Sequence, residues 1–221
     1  MPRKKNSEET IKQILDVSFT LFKTKGYENT SVIDIVSKMG VSRGAFYHHF
    51  TSKEDVLYAL LESKRNKEIE HKVYNDPTIT PLQRIRMLLF YTGIELNHED
   101  VYEEMILFNM WLDLLVDSRV MAEHLKECQE EDVSWLVPLL EDAIEKKEIK
   151  KQNPVLLAEL ILLLLNFWTI PTIYPVKNIK MFEEKIQLAK DVLDNIGCPL
   201  VNETVIEAFK TMANNYQKNQ E

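Results

Sequence analysis

The sequence predicts an all-α chain: an N-terminal three-helix unit with a helix-turn-helix, then a larger helical domain. Three observations carry this. Gly (5) and Pro (8) are scarce in 221 residues, whereas a sheet protein of this length needs many tight turns. Apolar residues recur three and four positions apart along most of the chain, the period of one helical face. Charge is divided unevenly: the net is −8 overall, but residues 1–53 hold nine Lys/Arg against five Asp/Glu, a net of +4. The remainder holds 18 against 30, a net of −12. A basic end on an acidic body marks two parts, residues 1–53 and 54–221.

The first helix is expected over about 7–25. Ile11, Ile14, Leu15, Ser18, Phe19 and Phe22 share one face, and Gly26 closes the helix after Lys23 and Lys25. A short second helix starts at Ser31, where Ser31 and Asp34 form a capping box with Asp in place of the usual Glu. Gly40 stops it, and Ser42 caps a very short third helix beginning at Arg43. Thr51-Ser52 then caps a fourth helix of about 53–74.

The body continues with helices of about 81–96, 101–116 and 119–147. Asn153-Pro154 opens an apolar helix reaching about residue 174, with Pro at a favoured first position. Helices of about 178–196 and 202–218 follow. The run from Leu160 to Val176 carries no charge, yet it is shorter than a membrane span needs and contains Asn166, Pro171 and Pro175. It reads as a helix buried on several sides, with no membrane partner. Leu156, Leu160, Leu163, Leu164 and Phe167 exceed what one core face requires, so 154–174 and about 202–217 are expected to pair two subunits.

Residues 31–50 read as helix, glycine turn, short helix. In a helix-turn-helix the second helix enters the DNA major groove, although the same pattern also suits a plain helical hairpin. Val32, Ile35, Val36, Met39, Val41, Phe46 and Phe50 supply a small core. The third helix then turns Arg43, Gly44, Tyr47 and His48 outward, groups that can donate to phosphates or bases around a glycine that permits close approach. Whether His48 or His49 faces DNA is open at this level.

Three ordered stretches carry a family resemblance. They are Thr30-Ser31-Val32 with Ile35, Gly40 through Phe50, and Ser52 through Leu57, preceded by Gly26-Tyr27 and Asn29. Over about residues 7–60 the chain resembles the tetracycline-repressor (TetR) family, departing from it at Met39 and Val36, where smaller residues are usual. The resemblance implies that Thr30 caps the second helix and touches phosphate. It puts Ser42, Arg43, Gly44 and Tyr47 on the recognition helix and His49 and Lys53 on phosphate, with Phe50 in the core. It also implies a transcriptional repressor that binds double-stranded operator DNA as a homodimer. Helices four to seven would surround a cavity for a small-molecule effector, and the last helices would form a two-fold interface.

For that cavity, the aromatic and Met-rich middle suggests Phe90, Met105, Phe108, Asn109, Trp111, Asn166, Phe167, Trp168 and Tyr174, lining a pocket for an apolar or aromatic molecule. Core packing is the competing role for each of them. No cofactor and no metal are expected: none of the five His has metal-ligand spacing, and Cys128 and Cys198 fit neither a metal site nor a disulfide framework. No phosphate loop or nucleophile elbow is present, and the adjacent Glu pairs point apart on their helices, so an enzyme is not expected. A cytoplasmic location is expected from the absence of a secretory signal and from the cysteine usage. The alternative is a helical protein-interaction adaptor without DNA binding, which leaves the basic end without a role.

Overall fold

The computed structural model describes residues 3–64, 67–90, 106–107, 109–207 and 209–210. Every regular element among them is helical. They fall into two compact units. The first holds the residues up to Lys64 and those of 106–111; the second holds 67–90 and the residues from Leu112 onward.

In the first unit α1 spans Arg3–Lys25, α2 Val32–Met39, α3 Arg43–Tyr47 and α4 Lys53–Lys64. The stop signals act as local chemistry dictates. Ser31 accepts from the Asp34 amide while the Asp34 carboxylate accepts from the Ser31 amide, a complete capping box. Gly40 ends α2 at φ 69°, a left-handed conformation that a β-carbon disfavours. The Ser42 hydroxyl accepts from the Ala45 amide at 3.3 Å and starts α3. α1 packs on α2 and α4, and α2 on α3. Ile14, Phe22, Ile35, Phe46, Val56 and Leu57 are nearly or fully buried between them. Full burial of each such side chain stabilises by about 1.5–3 kcal/mol. Of the helix expected over about 53–74, the described parts are α4 and α5, Lys67–Asn75.

In the second unit α6 covers Pro81–Phe90 and α7 Ser118–Glu127. A π-helical turn at Cys128–Asp132 leads into α8, Val133–Glu145. α9, Pro154–Leu163, runs into a second π-helical turn, Leu164–Trp168, and α10 covers Ile179–Asn195. Residues 106–107, 109–114, 203–207 and 209–210 are also helical. Leu136, Leu140, Ile161, Ile186, Leu193 and Val205 join one core. Arg84 fastens the turn before α6, donating to the carbonyls of Val73 (3.1 Å) and Asp76 (2.9 Å) and pairing with Asp142 at 3.7 Å.

Two expectations about this unit change. The apolar helix does not reach residue 174. It ends at Trp168 because Pro171 has no amide to donate and its ring would collide with the Phe167 carbonyl. The apolar residues described in 202–217 are not an outward stripe, since Val205 is fully buried and Ile206 and Phe209 pack on the unit's own core. The outward apolar residues stand instead on α9 (Leu156, Leu163) and α10 (Met181, Leu188, Val192). They lie away from the faces that bury Ile161 and Ile186. Among the described residues no helix is long and apolar enough to cross a membrane.

Candidate nucleic-acid interface

The third helix divides its side chains as its short length allows. Phe46 is fully buried and Phe50 nearly so, with ring centroids 6.0 Å apart. Arg43, Gly44, Tyr47 and His48 are exposed, Tyr47 at 55%. Tyr47 leans edge-on against Phe46 at 5.4 Å, which holds the ring while leaving it in solvent. His49 is half-buried, and its ring lies 4.9 Å from that of His48. His48 is therefore the more outward of the pair.

Gly44 has an informative environment. A β-carbon there would meet only the Ser42 hydroxyl, at an ordinary 3.7 Å, and the position does not have the left-handed φ of Gly26, Gly40 and Gly197. Glycine in a helix costs about 1 kcal/mol relative to Ala. Neither the packing nor the backbone of this chain requires that cost.

Around this face the charges are tied to the scaffold. Lys25, in the last turn of α1, pairs with Asp34 at 2.9 Å. Hydrogen bonds from Ser31 and from Lys25 hold the Asp34 carboxyl well below its ordinary range, so it stays ionised and keeps the cap closed. Thr30 does not cap α2, because Ser31 occupies the cap. The Thr30 hydroxyl is turned inward, donating to the Gly26 carbonyl at 2.8 Å, and the residue is only 2% exposed. Ser42 is exposed at the start of α3. The Lys53 ammonium points into the unit and donates to the Tyr27 carbonyl at 3.0 Å. Burial and then Glu54 push the Tyr27 phenol upward, so its ring stays neutral. The Tyr27 partnership of Lys53 is absent from the sequence reading; its only trace there is the Gly26-Tyr27 dipeptide.

The expected effector residues are distributed over both units. Met105 and Phe108 lie outside the described residues. Asn109 and Trp111 are half-buried in the first unit. Phe90 is half-buried in the second and faces the Phe209 ring at 5.6 Å. Asn166 bonds to Cys128, and Phe167 lies against His124 at 5.1 Å. Lys185 stands over both Trp168 and Tyr174, 5.4 Å from each ring, and Tyr174 is 52% exposed. A groove of about 400 Å³ on the first unit, between α1 and α4, includes Ile11, Leu15, Phe19 and Leu60 and none of the expected pocket residues.

Residues 14–60 match the family of bacterial regulatory proteins described as the tetR family. Over 95 residues the chain is 32% identical to the HTH-type transcriptional regulator TtgR of Pseudomonas putida, a match that spans 42% of this chain and 45% of that one. Over 90 residues it is 33% identical to the regulator AcrR of Shigella flexneri, spanning 40% and 42%. The chain thus covers less than half the length of these curated relatives. A crystal structure from Syntrophomonas wolfei, of a protein proposed to be a TetR-family regulator, aligns with 88% of this chain and 99% of that one. Its TM-score is 0.57 at 24% identity, a likeness of fold. Residues 14–60 of this chain thus form a helix-turn-helix unit that matches the tetR family of bacterial regulatory proteins.

Proposed function

We propose that the protein is a DNA-binding transcriptional regulator that represses by occupying an operator and leaves it when a small apolar or aromatic effector binds the helical body. The observation that carries the reading is the outward face of α3. Arg43, Tyr47 and His48 are exposed while Phe46 is buried, and Gly44 lies between them in sequence with no intramolecular reason for lacking a side chain. An opposing surface that approaches closely supplies that reason, and the net charge of +4 over residues 1–53 suits a phosphate backbone. Functionally the division stays at 53/54, with residues 1–53 meeting DNA and 54–221 providing dimerisation and effector response. Two copies pairing through Leu156, Leu163, Met181, Leu188 and Val192 would set two α3 helices about one DNA turn apart, roughly 34–36 Å. A cytoplasmic location follows from this role, and no catalytic step is assigned.

The test is fluorescence anisotropy of a labelled duplex taken from immediately upstream of the protein's own gene, titrated over a series of salt concentrations. Tight binding that falls steeply with salt is expected, and Arg43→Ala should weaken it by about 1–3 kcal/mol if Arg43 reads a base edge. Unchanged affinity in Arg43→Ala would remove α3 from the interface. For the effector, Trp111→Ala should abolish release by a responsive ligand while leaving ligand-free operator affinity intact. A large drop in melting temperature with ligand response preserved would assign Trp111 to packing alone.

A further inference from the structure

We propose that Lys53 is a positioning residue whose ammonium clamps the first turn of α4 to the turn between α1 and α2, and so sets the attitude of the helix-turn-helix toward DNA. The proposal rests on the DNA-binding reading above and departs from the phosphate contact that the family resemblance implies for this lysine. The geometry points inward. Lys53 Nζ donates to the Tyr27 carbonyl at 3.0 Å across 26 residues of sequence. The same ammonium stands 4.1 Å from the centroid of the Tyr27 ring, close cation–π range. A solvated lysine samples many rotamers, but this one meets a carbonyl lone pair and a π face together.

The other half of the clamp is rigid. Tyr27 is 6% exposed and its ring lies 5.0 Å from Phe22, itself 1% exposed. Its carbonyl also accepts from the Thr30 amide at 3.1 Å, closing the turn that delivers the chain to the Ser31 cap of α2. α2 packs on α3. A path therefore runs from Lys53 to Tyr27, through the Tyr27–Thr30 turn and the Ser31 cap into α2, and from α2 to the recognition helix. A chain of packed elements transmits a displacement only where its links are stiff, and the Lys53–Tyr27 link fastens α4 to this path at its N-terminal end.

Operator affinity in a double-mutant cycle decides between clamp and phosphate contact. The variants are Lys53→Met, which keeps an unbranched stem without charge, Tyr27→Leu, which removes the ring, and the pair together. The probe is the upstream duplex, with a random-sequence duplex at low salt as control, and all data are taken where circular dichroism shows full helix content. The clamp predicts about a tenfold loss in Lys53→Met, a smaller loss in Tyr27→Leu, whose backbone carbonyl still accepts, and no loss in the double beyond that of Lys53→Met. Lys53→Arg should restore most of the affinity, because a guanidinium both donates and stacks. Independent losses that multiply toward a hundredfold, with the salt slope lowered by about 0.9 in Lys53→Met alone, would make Lys53 a phosphate contact and overturn the proposal. Singles that lower the melting temperature without changing affinity would overturn it too, reducing the pair to fold stability. A wild-type protein that binds neither duplex removes the DNA-binding reading itself, an outcome distinct from additivity in a protein that binds.

Discussion

The side-chain amide of Asn166 donates to the thiol of Cys128 across 3.6 Å, joining the two π-helical turns of the second unit. His124 completes the cluster, its ring nitrogens 3.8 and 3.9 Å from the same sulfur and its ring against Phe167. Burial pushes the Cys128 thiol up to about 12, against the opposing pull of the Asn166 bond. Burial likewise raises Cys198 to about 12. Thiolate is the reactive form, so both cysteines should be inert in the native protein at neutral pH. Alkylation followed by mass spectrometry should modify neither until denaturant is added. Rapid native labelling of Cys128 would contradict the burial that holds the cluster neutral.

His124 makes stability depend on pH in one direction. Desolvation lowers its folded pKa below the ordinary 6.5, with Asp132 opposing. Above pH 6.5 the imidazole is neutral in both folded and unfolded chains, and its contribution is fully present. As pH falls below that value the unfolded chain takes up the proton first, so stability declines until the folded pKa is passed. Urea midpoints should therefore drop from pH 7.5 toward 5 more steeply in the wild type than in His124→Phe. Parallel slopes would show that other groups carry the dependence.

Ser31→Ala should cost about 1 kcal/mol by removing the capping box of α2. For a chain of this size that lowers the melting temperature by about 2–4 °C. A differential scan that shows no change would mean that the Asp34–Lys25 pair holds the helix start unaided.

Gly44→Ala should act with opposite signs on stability and function. The added methyl meets only an ordinary contact at 3.7 Å and restores helix propensity, raising stability by up to about 1 kcal/mol. The same methyl stands on the face assigned to DNA and should weaken operator binding. A variant that is more stable and binds equally well would mean that no partner approaches this position closely.

Leu163→Glu should give soluble, helical monomers, because Leu163 is 55% exposed on α9 in the single chain. Ile161→Glu should instead unfold the body, since Ile161 is fully buried two residues away. Sedimentation velocity separates the two. A dimer surviving Leu163→Glu would place the subunit interface elsewhere.

The helix-turn-helix was legible from sequence because its determinants are local. The Ser31–Asp34 box closes over three residues, Gly40 needs only its own φ, and Ser42 caps within the same turn. Phe46 and Phe50 are buried while Arg43 and Tyr47 are exposed, a division that the helical period does not set, since 43, 46, 47 and 50 stand at i, i+3, i+4 and i+7. Short-range sterics and hydrogen bonds do not wait for the rest of the fold.

Only the tertiary structure decided the contacts made across the chain. Lys53 turns inward because Tyr27, 26 residues earlier, offers a carbonyl and a ring. Asn166, expected to face a ligand, finds Cys128 at a separation of 38 residues. The apolar surplus at Leu156, Leu160, Leu163, Leu164 and Phe167 predicted a subunit-pairing face shared with about 202–217, but packing assigned Val205 to the core and left Leu188 and Val192 on α10 in solvent. An amphipathic period states that a helix has an apolar face. Which helix that face meets, and which apolar residues remain outside, depends on how all the faces fit together, and many arrangements satisfy one pattern equally well.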